Sequence, residues 1–127
     1  MPTVLLVDDE KAIRSALRKI LEHGGLNVQE ADSGRDALEA LAADSSIAAV
    51  VSDFIMPELD GLDFYDALAA RSPHLTRRVV FLTGAARDPS VYQPLEDRGV
   101  PLINKLDDLS LVLDAVRLVL LRPAELP

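Results

Sequence analysis

Asp53 closes an apolar run, AAVVSD, and opens onto a turn, FIMPELDG, that no strand continues, because proline lacks the ladder N–H and Asp and Gly favour tight bends. A carboxylate so placed stands at the mouth of a strand. Three other apolar runs end in the same way: VLLV on Asp8 and Asp9, VVFL on Thr83, and VPLIN on Lys105. Three carboxylates, a hydroxyl and an ammonium form a reagent set if the fold gathers them. Clustered carboxylates repel one another and raise their own pKa values unless a cation joins them, and hard oxygen donors with room for water suit Mg²⁺. A lysine and a threonine hydroxyl opposite such a cation are the donors a phosphoryl group needs. Asp53 is then placed to act as a carboxylate nucleophile and form an aspartyl phosphate.

The elements that must position these residues follow from two alternating periodicities. Thr3 to Val7 is a short apolar run, after which Ile13, Ala16, Leu17, Ile20 and Leu21 recur at the spacing of one helix face, with Arg14, Arg18, Lys19 and Glu22 opposite. Gly24 and Gly25 close that helix. Asn27 to Ala31 reads as a more polar strand, and Ser33 as the N-cap of a helix that turns Ala37, Leu38 and Leu41 inward. Ile47 to Ser52 is the third strand, Gly61 to Arg71 the third helix with Leu62, Tyr65, Leu68 and Ala69 inward, and Arg78 to Leu82 the fourth strand. Asp88-Pro89 starts a fourth helix and Gly99 stops it. Pro94 falls inside and predicts a helix that is short, late-starting or kinked. Val100 to Ile103 is the fifth strand, Asp108 to Leu121 the last helix, and 122–127 a loose tail.

Five strands alternating with five helices predict an α/β fold: a doubly wound parallel sheet of order 2-1-3-4-5, flavodoxin-like, with helices on both faces. In such sheets ligands bind beyond the carboxyl ends of the strands, which is where Asp8, Asp9, Asp53, Thr83 and Lys105 fall. The 127 residues predict a single domain, 1–127. The absence of cysteine excludes a disulfide framework, a thiolate metal site and cysteine catalysis. A formal net charge of -8 argues against nucleic acid as partner, since phosphate contacts need clustered Lys and Arg. No apolar run approaches a membrane span and Met1-Pro2-Thr3 lacks a secretion pattern, so no membrane association and a cytoplasmic location are expected.

The acidic pair in VLLVDDE, the acceptor in SDFIMPELDG, the hydroxyl in FLTG and the lysine in LINK together resemble the receiver domain of two-component response regulators, over essentially the whole chain. That resemblance implies that Asp53 accepts phosphate from the phosphohistidine of a histidine kinase or phosphotransfer domain. It implies that Asp9, Asp53 and the backbone carbonyl of Ile55 bind Mg²⁺, with Asp8 helping through water. Thr83 and Lys105 are then each expected on a phosphate oxygen. Such a protein catalyses its own phosphorylation and dephosphorylation and turns over no external substrate. The run from Asp60 to Gly84 also looks like receivers fused to hybrid histidine kinases.

Some positions depart from the family. Leu106 follows Lys105 where the family usually has a cis proline; a non-proline cis bond costs about 2.5–4 kcal/mol, so the Lys105-Leu106 bond is expected trans. Leu102 stands where an aromatic switch residue is common. Ile55 and Ala85 occupy the positions two after the acceptor and two after the threonine, and neither side chain orients a hydrolytic water. Two other functions compete. A phosphohydrolase of the haloacid-dehalogenase type needs a general-acid Asp where this chain has Ile55, and a pseudo-receiver binds partners without phosphorylation. In the last helix, placing Leu109, Val112, Val116 and Leu120 inward leaves Leu111, Ala115, Leu118 and Leu121 outward, an expected surface for a homodimer or a partner domain. The histidines His23 and His74 fall near helix ends and are expected to be solvated there.

Overall fold

The computed structural model describes residues 1–56, 59–84 and 88–122. Its strands are β1 (Thr3–Val7), β2 (Asn27–Ala31), β3 (Ile47–Asp53), β4 (Val79–Thr83) and β5 (Leu102–Asn104). They alternate with helices α1 (Lys11–His23), α2 (Gly34–Ala43), α3 (Gly61–Arg71), α4 (Pro89–Asp97) and α5 (Ser110–Leu120), and a short 3-10 turn, Pro73–Leu75, precedes β4. The five strands form one sheet in the order β2-β1-β3-β4-β5, every pair parallel. This is the expected doubly wound topology. The register aligns the strand ends: Val7 pairs with Ser52, Asp53 with Leu82, and Thr83 with Asn104. The residue after each apolar run therefore emerges on the same rim of the sheet.

Side-chain alternation divides the interior in two. On β1, Leu5 and Val7 face α2 and α3, while Val4 and Leu6 face α1 and α5; on β4, Val79 and Phe81 take the first side, Val80 and Leu82 the second. Strands buried on both faces must be apolar throughout, which is why VLLV and VVFL read as unbroken runs. Leu17 and Leu21 of α1 and Leu38 and Leu41 of α2 are buried as their spacing predicts. On α3 the inward face centres on Phe64 and Leu68, with Leu62 and Tyr65 half-buried. Full burial of one such side chain stabilises by roughly 1.5–3 kcal/mol.

The element ends have local causes. Gly25 has φ +89° and Gly99 φ +68°, the left-handed region that L side chains rarely adopt. At both helix ends the next residue donates back into the last turn, Leu26 to the Leu21 carbonyl at 3.1 Å and Val100 to the Leu95 carbonyl at 2.9 Å. Val100 is thereby tied to the end of α4, and β5 begins at Leu102 rather than at the predicted Val100. The predicted Arg78 start of β4 shifts to Val79, because the Arg78 N–H closes the 3-10 turn on Leu75 at 2.9 Å. Both β3 and β4 run one residue further than predicted, through Asp53 and Thr83, since each pairs with the neighbouring strand. Helix α4 is short but not late-starting: Asp88 caps it, accepting from the Ser90 N–H at 3.0 Å, and Pro89 opens it.

Two further expectations need correction. Ala115 is buried, not outward, because it lies between the inward-facing Val112 and Val119 on the helix. Arg122 is fastened rather than loose: its carbonyl accepts from Arg78 Nη2 at 3.0 Å, and its guanidinium donates to the Gly99 carbonyl at 3.2 Å. The rest of the tail, 123–127, and the positions of Pro57, Glu58 and Ala85 lie outside the described residues.

Candidate functional site

Asp53 ends β3 nearly closed off from solvent, the residue 5% exposed. Two contacts fix the backbone around it. The Phe54 N–H donates to the Leu82 carbonyl at 2.7 Å, and the Ile55 N–H donates to Asp53 Oδ1 at 3.2 Å. Ile55 is thus turned so that its backbone serves the carboxylate while its side chain, 59% exposed, stands at the rim. Beyond β1, Asp8 is fully buried. Its N–H donates to the Ala31 carbonyl at 3.2 Å and its own carbonyl accepts from Arg14 Nη1 at 2.6 Å, so the neighbouring strand and helix α1 both hold it.

Lys105 reaches these carboxylates from the end of β5. Its ammonium donates to Asp53 Oδ2 at 2.8 Å, lies 3.0 Å from Asp8 Oδ2, and donates to Glu10 Oε1 at 3.3 Å. No proline is needed to place it. The Lys105 N–H bonds the Thr83 carbonyl at 3.0 Å, and the chain then turns under Asn104, whose Oδ1 accepts from the Leu106 N–H at 2.9 Å and whose carbonyl accepts from Asp107 at 3.0 Å. No peptide bond among the described residues is cis, so Lys105-Leu106 is trans as expected. An Asx turn does here what a proline bend would otherwise do.

The electrostatics follow from burial and pairing. Burial pushes the Asp8 carboxyl above its usual range, against the lowering pull of the Glu10 N–H and of Lys105. Burial by itself would lower the Lys105 ammonium, but the hydrogen bond to Asp53 and the negative charges of Asp53 and Asp8 outweigh it and hold the group above its ordinary value. Lys105 is therefore a permanent cation facing two buried carboxylates. One positive charge is shared between them: among the described residues Asp8 Oδ2 has the ion pair with the ammonium at 3.0 Å and no further hydrogen bond. Asp8, Asp9, Glu10 and Asp53 can each offer one carboxylate oxygen such that the four lie within 4.8 Å of one another. A buried carboxylate oxygen with no hydrogen bond, within such a group, fits a hard divalent cation.

Of the residues singled out from sequence, Asp53, Thr83, Ile55, Asp9 and Lys105 line one cleft of about 430 Å³, and Asp8 lies buried against Lys105. Thr83 is buried at the end of β4, and Asp9 is exposed at the cleft's edge. Glu10 belongs to the same group and was not singled out. Its signal was the third acidic residue in VDDE, which reads equally well as the start of a helix.

A family model described as the response regulator receiver domain matches residues 4–117. The C4-dicarboxylate transport transcriptional regulatory protein DctD of Rhizobium meliloti (strain 1021) is 34% identical over 104 residues, covering 82% of this chain and 22% of that protein. The sensor kinase CckA of Brucella abortus (strain 2308) is 40% identical over 87 residues, 68% of this chain and 9% of that protein. The chain thus spans only 22% and 9% of these relatives' lengths. Among solved structures, the solution structure of the beryllofluoride-activated NtrC4 receiver domain dimer superposes with a TM-score of 0.83 at 27% identity, covering 94% of this chain and 97% of that one.

Proposed function

This chain belongs to the response regulator receiver domain family of two-component signalling, and on that premise we propose that it takes a phosphoryl group onto Asp53 from a histidine kinase or phosphotransfer domain, with Mg²⁺. The observation that carries the reading is the Lys105 ammonium bonded to a buried Asp53 carboxylate, beside an Asp8 oxygen that has no hydrogen bond. Receivers of this family interact with histidine kinases or phosphotransfer partners, and residues 1–127 are read as one such unit, acting in the cytoplasm. Asp8, Asp9, Asp53 and the Ile55 carbonyl are the groups that would hold Mg²⁺. When bound, the ion supplies positive charge to the phosphoryl oxygens.

The protein's own groups account for the remaining chemistry. An Asp53 oxygen attacks phosphorus, the N–P bond of the donor's phosphohistidine breaks, and the imidazole leaves with the electron pair and takes up a proton. Lys105, already at 2.8 Å from the carboxylate, balances charge on the transferred group, and the Thr83 hydroxyl donates to another oxygen. Burial of Asp53 keeps bulk water from the acyl phosphate. Hydrolysis reverses the state: water attacks phosphorus, the acyl O–P bond breaks, and carboxylate and inorganic phosphate remain. The exposed leucines of α5 are read as the surface through which a second copy or a partner domain senses that state.

Incubation with acetyl phosphate and Mg²⁺ followed by intact-mass measurement tests this. One added phosphoryl group is expected, and Asp53→Asn, which keeps the shape but forms no acyl phosphate, abolishes it. Undiminished labelling of that variant would place the acceptor elsewhere, and an unlabelled wild type would leave a binding module.

A further inference from the structure

Glu10 has no role in the reaction as proposed. It occupies the N-cap of α1, where Ser, Asp and Asn are favoured because a short side chain reaches back to the helix N–H groups. Glu10 makes no such bond. Its carboxylate extends instead across the cleft to accept from Lys105 Nζ at 3.3 Å, while its backbone N–H donates to Asp8 Oδ1 at 2.8 Å. One residue therefore holds both a buried carboxylate and the ammonium beside it. The local helix rule is broken where the side chain has another partner.

The three carboxylates around Lys105 are not equivalent. Asp53 and Asp8, at 2.8 and 3.0 Å, are buried, whereas the Glu10 side chain is 61% exposed. Asp8 Oδ2 has the shared ammonium but no hydrogen bond, and with Asp9, Glu10 and Asp53 it can offer an oxygen to a second cation. Once a divalent cation neutralises Asp8 and Asp53, their hold on the ammonium weakens, and a lysine on its flexible four-carbon stem gains freedom unless something else retains it. Resting on the phosphoacceptor reading, we propose that Glu10 is a positioning residue that keeps the Lys105 ammonium at the cleft mouth when the buried carboxylates are taken by a divalent cation. The ammonium then meets the incoming phosphoryl oxygens without first being recovered from solvent.

The test uses the whole chain, with Mg²⁺ and acetyl phosphate as probes. Glu10→Gln is expected to slow labelling at saturating Mg²⁺ by about three- to fivefold, as befits a half-exposed ion pair. The Mg²⁺ dissociation constant, read by calorimetric titration without any phosphodonor, shifts by less than about threefold. Glu10→Asp restores part of the rate. In a Lys105→Met background, Glu10→Gln causes no further slowing, and in metal-free protein a double-mutant cycle by urea unfolding shows coupling between the two positions. Slowing of equal size without Lys105, or no coupling in the metal-free cycle, overturns the proposal. So does a Mg²⁺ affinity loss of about tenfold with the saturated rate intact, which would make Glu10 a ligand. If the wild type binds Mg²⁺ yet is never labelled, the phosphoacceptor reading itself fails and takes this proposal with it.

Discussion

Asp8 gives up all contact with water, and only one of its oxygens is hydrogen-bonded. Ionising it in the fold is harder than in the unfolded chain, so its raised pKa has a definite sign in stability. The contribution is complete below the ordinary carboxyl pKa of about 4 and is lost as pH rises through the higher folded value. Asp8→Asn keeps the shape without the charge. In metal-free protein it is expected to raise stability at neutral pH and to flatten the decline above about pH 4, measured by urea unfolding across a pH series. The same variant loses most of the stabilisation that added Mg²⁺ brings. A less stable Asp8→Asn protein at neutral pH would show that Lys105 already compensates the charge. At Ile55 the side chain stands 59% exposed at the rim over Asp53 and offers no hydrogen bond to an attacking water. Ile55→Asn is expected to hasten loss of the acyl phosphate severalfold. An unchanged decay, followed by intact mass, removes Ile55 as the cause of a long lifetime.

The connection from β3 to α3 depends on close packing as much as on turn chemistry. Asp60 caps α3 by accepting from the Asp63 N–H at 2.9 Å, and Gly61 lies directly against Phe54, its N–H donating to the Phe54 carbonyl at 2.6 Å. A Cβ at Gly61 would run into the Phe54 ring, which itself meets Phe81 edge-on with centroids 5.4 Å apart. Gly61→Ala is therefore expected to cost about 1–3 kcal/mol, as overpacking does, and to displace the backbone next to Asp53. Chemical denaturation reads the first effect and a slower acetyl phosphate reaction the second. A variant of wild-type stability would mean that Phe54 gives way without penalty. At the other side of the cleft, the turn under Asn104 explains how Lys105 is placed beside Leu106 without proline.

At the scale of the molecule, the sheet carries one interior against α2 and α3 and another against α1 and α5, and the second leaves an apolar margin on α5. Leu111, Leu118 and Leu121 are 43%, 66% and 83% exposed, although the buried Ala115 makes the stripe narrower than the spacing suggested. If this margin is where a second copy or partner domain docks, Leu111→Glu with Leu118→Glu keeps the fold, because neither side chain is in the core, and weakens association. Light scattering with and without acetyl phosphate reads self-association, and binding to a histidine kinase reads the heterotypic case. Association and kinase binding both equal to wild type in each state would mean that the leucines are only surface.

Local sequence determined the elements and the chemistry each one ends on. Two-faced burial forces unbroken apolar strands, amphipathic spacing forces helices against them, and a charge following such a strand falls at its end; hence Asp8, Asp53, Thr83 and Lys105 were legible, as were the Ser33 and Asp88 caps and the Gly99 stop. The parallel order followed as well, from five strands alternating with five helices and the doubly wound arrangement that this count fits. What depends on pairs of residues far apart in the chain was not legible. Whether β5 begins at Val100 or Leu102 depends on a bond back to Leu95, and whether Ala115 is covered depends on how α5 rotates against the sheet. The role of Glu10 is the sharpest case. As a helix cap it reads as an ordinary acidic residue, and only the fold brings it within 3.3 Å of Lys105, 95 positions along the chain. Periodicity encodes which face a residue takes, because that is a property of neighbours in sequence, but distances across strand ends exist only once the sheet has closed its register.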